Sequence, residues 1–306
     1  MTINLPSVLL RPATTTSPSR IRWRYAVGIP LLHVLAGLAL FPYLFSWSGL
    51  VLAVIGLYVF GTLGINLCYH RLLTHRSFAV PLWLEHSLAI ISLCTLQDTP
   101  ACWAAMHRLH HKESDHQEDP HSPWVSLLWG HCGWLMFDNR EFTNLNYYQR
   151  YSRDLLRDPF YMRLERGGAW FLTYVSHAVL FFLAGWLVGG MQFGLSLLVW
   201  GVFVRTIAVW HITWSVNSLG HVFGYQNYET GDSSRNNLLI GLYSNGDGWH
   251  NNHHADPRAA SHGHRWFELD VTYLTILLLR RLGLAWDIVP TRLHSGSTAD
   301  GQTKLD

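Results

Sequence analysis

Two short stretches of this sequence hold three histidines each, in the same pattern. They are HRLHH, with His107, His110 and His111, and WHNNHH, with His250, His253 and His254. Residues three and four apart share one face of a helix, so each triplet can aim its imidazoles at one metal ion or at two adjacent ions. Neutral imidazole binds iron, copper, zinc and nickel without a buried counter-charge. The spacing therefore predicts a histidine-rich metal site.

Two further stretches extend this set. HRLLTH supplies His70 and His75, and NSLGH supplies Asn217 and His221. Five residues correspond to about 140° around an ideal helix, so His75 can converge with His70 only if the helix ends or loosens after His70. Isolated histidines such as His33 are expected to be ordinary core or interfacial residues.

The chain that carries these histidines is apolar and aromatic. Of its 306 residues, 49% are hydrophobic and 14% are charged, against about 25% charged in an average soluble domain. Its 15 Trp, 13 Tyr and 14 Phe suit a lipid interface. The net charge of +2 is too small to indicate nucleic acid, and the four cysteines form no C-x-x-C pair. We predict an integral membrane protein that contacts lipids and binds no nucleic acid.

Four segments are long and apolar enough to cross a bilayer, which takes about 20 residues of helix. They form two hairpins with short connectors and cover residues 26–45, 49–68, 169–188 and 193–214. Neither connector holds Lys or Arg, so the positive-inside rule places both termini, residues 69–168 and residues 215–290 in the cytoplasm. Every candidate ligand then lies on one side of the membrane.

The remaining segments are predicted from length and composition. Residues 82–96 and 271–284 are apolar but too short for a comfortable crossing, so we expect helices at the membrane interface. Residues 20–290 are expected to form a single domain between a mobile tail, 1–19, and a C-terminal tail, 291–306. Arg205 lies inside the fourth predicted span and is expected to snorkel or to pair within the bundle.

The three stretches HRLLTH, HRLHH and WHNNHH, in this order and with these hairpins, resemble the histidine boxes of the membrane-bound fatty acid desaturases. The flanking HRSF, EDPHSP and GDGWHNNHHADPRAASHG resemble the Δ9, stearoyl-CoA desaturase-like branch. The resemblance covers nearly the whole chain. It implies an all-α membrane protein with four transmembrane helices in two hairpins and a cytosolic helical cap that holds two irons.

The resemblance also implies roles for individual residues. The implied iron ligands are His70, His75, His107, His110, His111, His221, His250, His253 and His254, with Asn217 acting through a water. Trp103 matches a tryptophan that lines the acyl tunnel near the irons, and Asp119, Pro120 and His121 match a structural motif. Asp247, three residues before His250, is a candidate to orient a ligand through its other ring nitrogen.

The implied reaction is the O2-dependent insertion of a cis double bond, at Δ9, into a saturated chain of an acyl-CoA or acyl-lipid. An unactivated methylene has no acidic proton to remove, so the reaction needs an oxidant made from O2 at a metal. A narrow apolar tunnel must present the chain. Tyr58 lies twelve residues before His70, or roughly 18 Å deeper along a helix, so we predict that Tyr58 or its neighbour Val54 forms the tunnel floor.

Three alternative functions fit the histidine pattern less well than desaturation does. A di-iron lipid or alkane hydroxylase of the same superfamily would begin with the same hydrogen abstraction, although the box spacings and flanks favour desaturation. A haem-binding electron-transfer protein would hold its histidines within facing spans, and the HExxH of a zinc metalloprotease is absent. The sequence has no His-Pro-Gly-Gly haem signature, and its cysteines do not form a quartet for an iron–sulfur centre. We therefore expect a separate electron donor, either a cytochrome b5-type protein or a ferredoxin with its reductase.

Overall fold

The computed structural model describes residues 10–14 and 19–293, and no β-strand forms within those ranges. Only four isolated β-bridges join distant segments there. Most of the predicted tails, residues 1–19 and 291–306, lies outside the described residues. The all-helical class is confirmed for the part of the chain that is described.

The α-helices, in chain order, are α1 Trp23–Gly37, α2 Trp47–Gly56, α3 Leu82–Leu93, α4 Pro100–Glu113, α5 Leu127–His131, α6 Arg140–Thr143, α7 Leu145–Tyr148, α8 Arg153–Leu156, α9 Pro159–Leu164, α10 Ala169–Leu198, α11 Arg205–Ser218, α12 Leu238–Tyr243, α13 His250–Ala255 and α14 Val271–Arg281. Two π-helical segments, Leu57–Thr74 and Val199–Val204, continue α2 and α10. Short 3₁₀ turns are Leu38–Leu40, Pro42–Leu44, Gly133–Met136, Gln149–Tyr151 and Leu219–His221.

Among the described residues, three helical stretches are long and apolar enough to cross a membrane: Trp23–Leu40, Trp47–Thr74 and Ala169–His221. The third stretch contains both of the last two predicted spans. Gly189 and Gly190 depart from helical geometry within it, and Gly190 has φ +75°, a conformation that glycine adopts without a Cβ clash. A Cβ on Gly185 would lie 2.9 Å from the Cα of Gly194. The backbone on either side of the two glycines therefore comes close together.

The two predicted interfacial segments form α3 and α14. α3 leaves Leu82 and Trp83 exposed, and α14 leaves Leu274 and Leu278 exposed. The other faces of these helices are buried against the π-helical segment Leu57–Thr74, where each fully buried aliphatic side chain contributes about 1.5–3 kcal/mol. An apolar face remains outside on both helices, as a membrane surface requires.

Arg205 pairs within the bundle and is fully buried. Its guanidinium donates to the carbonyl of Cys94 and contacts Nε2 of His177, each at 2.8 Å. It also lies 3.9 Å from the ring centroid of Phe60. Because Cys94 directly follows α3, these contacts fasten the end of that helix to the membrane bundle.

Candidate metal centre

The structure brings all nine predicted histidines together in two adjacent clusters. We define the first cluster as His70, His75, His107, His111 and His253, and the second cluster as His110, His221, His250 and His254. Within each cluster, one nitrogen of every ring lies within 4.8 Å of those of the others. The arrangement has the ligand type and spacing to hold two metal ions.

Each H-x-x-H-H triplet is shared between the clusters. α4 directs His107 and His111 to the first cluster and His110 to the second, whereas α13 directs His250 and His254 to the second and His253 to the first. On an ideal helix, residues i and i+4 differ by only about 40° in direction, whereas residues i+3 and i+4 differ by about 100°. The i,i+4 pair therefore closes one cluster, and the residue between them reaches the other.

The five-residue spacing of His70 and His75 is accommodated by π-helical backbone. The N–H of His75 donates to the carbonyl of His70 at 3.1 Å, which is an i to i+5 bond. The two ring centroids are 4.9 Å apart. The loosening that the sequence required is thus a π turn, a feature often found at functional sites.

Four of the histidines are oriented by carboxylates through Nδ1. His70 pairs with Asp247 at 3.1 Å, His110 with Asp119 at 3.0 Å, His221 with Asp115 at 3.0 Å and His254 with Asp232 at 2.6 Å. In a neutral ring, an N–H donated from Nδ1 leaves the lone pair on Nε2. These contacts therefore hold the tautomer that a metal ligand needs.

Charge and burial favour neutral imidazoles here. Burial, followed by repulsion from neighbouring imidazoles, holds the pKa of His107 and of His250 well below the usual range. Burial would raise the pKa of Asp119, but attraction to and a hydrogen bond from His110 lower it. His221 differs: burial lowers its pKa, but attraction to the carboxylate of Asp115 outweighs burial and raises the pKa to about 9. This ring must therefore lose a proton before it can bind a metal.

The contacts between ring nitrogens fit a metal better than they fit protons. Nε2 of His111 lies 3.1 Å from Nε2 of His107 and 2.8 Å from Nε2 of His253, which is itself 3.0 Å from Nε2 of His70. An imidazole nitrogen carries either one hydrogen or one lone pair, so His111 cannot satisfy both of its neighbours. In addition, Nε2 of His75 and of His110 is buried with no hydrogen-bond partner. A cation would satisfy these lone pairs together.

Asp247 contacts one of the clustered histidines, although not the one nearest to it in the sequence. It lies three residues before His250 but contacts His70 instead. Its other oxygen accepts from Arg71 at 3.0 Å, and Arg71 also donates to Asp270 at 2.9 Å. Arg71 is fully buried, so an ionic chain of Asp270, Arg71 and Asp247 stands behind the first cluster.

The two asparagines of WHNNHH hold α13 in place, a role that the sequence did not reveal. Oδ1 of Asn251 accepts from the backbone N–H groups of Asn227 and Tyr228 at 2.7 and 2.9 Å. Nδ2 of Asn252 donates to the carbonyl of His262 and to Glu268. A six-residue helix is not stable alone. Asn251 and Asn252, one and two residues after His250, face away from the three histidines. These bonds therefore set the direction of all three histidines.

An apolar cavity of about 660 Å³ reaches the first histidine cluster at His107. Trp103, His107 and Asn217 all line it, and the rings of Trp103 and His107 stack with centroids 5.0 Å apart. The other walls come mainly from apolar residues of α1, α10 and α11. The cavity can hold a long apolar chain beside the first cluster.

Tyr58 and Val54 do not line this cavity. The hydroxyl of Tyr58 bonds to that of Thr275 at 2.8 Å, which attaches its helix to α14. Val54 is exposed on the outer surface of its helix. Helical rise gives the depth of these residues but not the side of the bundle that they face, so this cavity does not support their predicted place at a tunnel floor.

Within the described residues, three helices long enough to cross a membrane, with nine clustered histidines beside an apolar cavity, fit an enzyme that could hold a metal and act on a long apolar substrate. Comparison with known proteins agrees: a sequence model of the fatty acid desaturase family matches residues 44–273. This chain belongs to that family and is an oxidoreductase that acts on fatty acyl chains.

Individual relatives are similar over most of their length. The chain is 39% identical to an sn-2 palmitoyl-lipid 9-desaturase of Nostoc sp. (strain 36), with 94% of this chain and 96% of the relative covered. It is 39% identical to an sn-1 stearoyl-lipid 9-desaturase of Anabaena variabilis, with 90% and 96% covered. An acyl-CoA 5-desaturase of Anemone leveillei is 42% identical, with 86% and 78% covered.

Proposed function

We propose that this protein is an O2-dependent di-iron desaturase that inserts a cis double bond at Δ9 of a saturated chain in an acyl-lipid or acyl-CoA. One observation carries the proposal: the nine-histidine centre borders an apolar cavity through His107 and Trp103. Two relatives named as 9-desaturases support the position of the bond.

The nine histidines are proposed to hold two irons, five imidazoles on one and four on the other. Asn217 lines the same cavity, and it is proposed to complete the second set through a water. When bound, the irons would supply the O2-derived oxidant that removes hydrogen from two neighbouring methylenes. O2 takes four electrons in becoming two waters, two from the acyl chain and two from a separate carrier, and two protons come from solvent.

The residues of the chain have positional tasks in this reaction. Trp103, packed on His107, is proposed to hold the acyl chain against the first cluster, so that the bond position is set by distance along the chain. The apolar walls exclude water and so prevent side reactions. The carboxylates behind the rings keep the ligands aimed.

A four-span topology with two hairpins is proposed for the membrane part. The break at Gly189 and Gly190 and the close approach of Gly185 to Gly194 support a turn between residues 169–188 and 193–214. A straight helix over Ala169–His221 would measure about 80 Å, far more than the roughly 30 Å hydrocarbon core. Both termini and the metal centre are proposed to be cytoplasmic, where a cytochrome b5-type protein or a ferredoxin with its reductase could deliver electrons.

The test is the fatty-acid profile of host cells that express the chain and its His107→Ala variant, by gas chromatography with double-bond location. A new Δ9 monounsaturated acid is expected with the wild type and not with the variant. Loss of a ligand should exceed the ten- to hundredfold effects typical of groups that only orient ligands. His86→Ala is the control, because His86 pairs with Asp158 away from both clusters. A hydroxylated product would favour the hydroxylase instead, and a purified protein without iron would refute the metal site.

A further inference from the structure

The apolar cavity is open along one side. Four of its lining side chains, Leu31 on α1 and Phe171, Val175 and Val179 on α10, remain 37% to 55% exposed. α1 packs along the π-helical segment Val199–Val204 and makes at most sparse contacts with α10. We call the resulting gap between α1 and residues 169–188 the seam.

Polar residues border the cavity at the end where α1 begins. Arg24 is the second residue of α1, and it lines the cavity together with Gln97 and Asp98. Tyr25 donates a hydrogen bond to the carboxylate of Asp98. Because α1 is a candidate span, Arg24 lies at head-group level, and Leu31 lies roughly 10 Å deeper along the helix. The cavity is therefore polar at the membrane interface, and the seam is apolar at hydrocarbon depth.

From this arrangement we propose that the substrate is an acyl chain of an intact membrane glycerolipid, which enters sideways through the seam while its head group stays at the interface. This inference rests on the proposed desaturase function. The chain would pass from bilayer hydrocarbon to apolar cavity, so no apolar surface need meet water on the way. The exposed guanidinium of Arg24 suits a lipid phosphate at the surface.

Gly28 allows the seam to be blocked without disturbing the fold. It lines the cavity, and a Cβ built on it would meet no atom within 4 Å. Gly37, at the end of the same helix, has equally free space but does not line the cavity. Replacing glycine within a helix is not expected to destabilise it, so Gly28→Phe and Gly37→Phe form a matched pair.

The experiment uses the full-length, iron-loaded protein with its electron donor in vesicles of saturated phosphatidylcholine. Gly28→Phe is expected to lower desaturation of the vesicle lipid at least tenfold, whereas Gly37→Phe should stay within about twofold of the wild type. Equal activity of Gly28→Phe and Gly37→Phe would overturn the lateral route, as would a wild type that desaturates added stearoyl-CoA but not the vesicle lipid.

A second readout needs neither metal nor turnover. Five tryptophans, including Trp103 and Trp214, line the cavity, so a brominated chain that enters it should quench their fluorescence. In vesicles of dibrominated phosphatidylcholine, Gly28→Phe is expected to be less quenched than Gly37→Phe, and equal quenching would contradict entry through the seam. If the wild type forms no double bond in any substrate while quenching differs as expected, the desaturase proposal fails and the lipid-entry seam remains.

Discussion

The two histidine clusters differ in what stands behind their imidazoles. In the second cluster, three of four rings contact a carboxylate through Nδ1, from Asp119, Asp115 and Asp232. In the first cluster only His70 does so, and its partner Asp247 is also bound to Arg71. The first cluster borders the cavity through His107, whereas no member of the second lines it.

This difference indicates a division of tasks between the clusters. A carboxylate on Nδ1 fixes the ring and makes the other nitrogen a stronger ligand, so the second cluster is expected to bind its metal more tightly. The first cluster has fewer such supports and faces the apolar cavity. Its one carboxylate partner, Asp247, belongs to the buried ionic chain with Arg71 and Asp270.

The largest effect is expected from disruption of the buried ionic chain of Asp270, Arg71 and Asp247. Arg71→Met would leave Asp247 and Asp270 buried without their cation, and loss of one partner of a buried ion pair costs about 3–5 kcal/mol. We expect a marked loss of thermal stability together with loss of metal from the first cluster. Denaturation followed by tryptophan fluorescence, and metal analysis, measure the two effects.

Arg76→Met is the matched control for that variant. Arg76 lies five residues further on and pairs with Asp154 at 3.2 Å, but both side chains are more than a third exposed. Exposed pairs contribute about 0–1 kcal/mol. Similar losses of thermal stability and metal in Arg71→Met and Arg76→Met would show that the buried ionic chain contributes no more than an exposed ion pair.

An intermediate effect is expected from Asp232→Asn. The amide can still accept from Nδ1 of His254, but it carries no charge, and changes in such supporting partners typically cost ten- to hundredfold in metal affinity. Dialysis against a graded chelator should remove metal earlier from the second cluster and leave the first unchanged. Asp158→Asn is the control, since its carboxylate contacts the half-buried His86, away from both clusters. Equal loss from both clusters would contradict their independence.

The smallest effect is expected from Ser122→Ala. Ser122 donates to the carboxylate of Asp115 at 3.0 Å, and Asp115 also binds His221 and the N–H of Ser233. Removal of one bond of this kind costs about 0.5–1.5 kcal/mol. The same titration should show a shift of a few fold in the second cluster. Ser87→Ala, on the exposed face of α3, should show none.

Sequence reasoning was most successful where the relevant geometry is local. The periodicity within HRLHH and WHNNHH predicted helices with convergent imidazoles, and both formed. Tyr58, predicted as the tunnel floor, does not line the cavity, because helical rise gives depth whereas the direction of a side chain depends on which neighbour its helix packs against. Asp247 was predicted to orient a ligand and stands three residues before His250, and the structure pairs it with His70, 177 residues away.

The sequence by itself determined the imidazole side chains, the short stretches that carry most of them, and the apolar segments beside them, because each is a feature of one contiguous stretch of the chain. Only the tertiary structure decided which imidazole joins which cluster and which carboxylate supports it. His70 and His253 are 183 residues apart, and His221 and Asp115 are 106 apart. Contacts at such separations follow from the packing of helices against one another, and no local pattern encodes them.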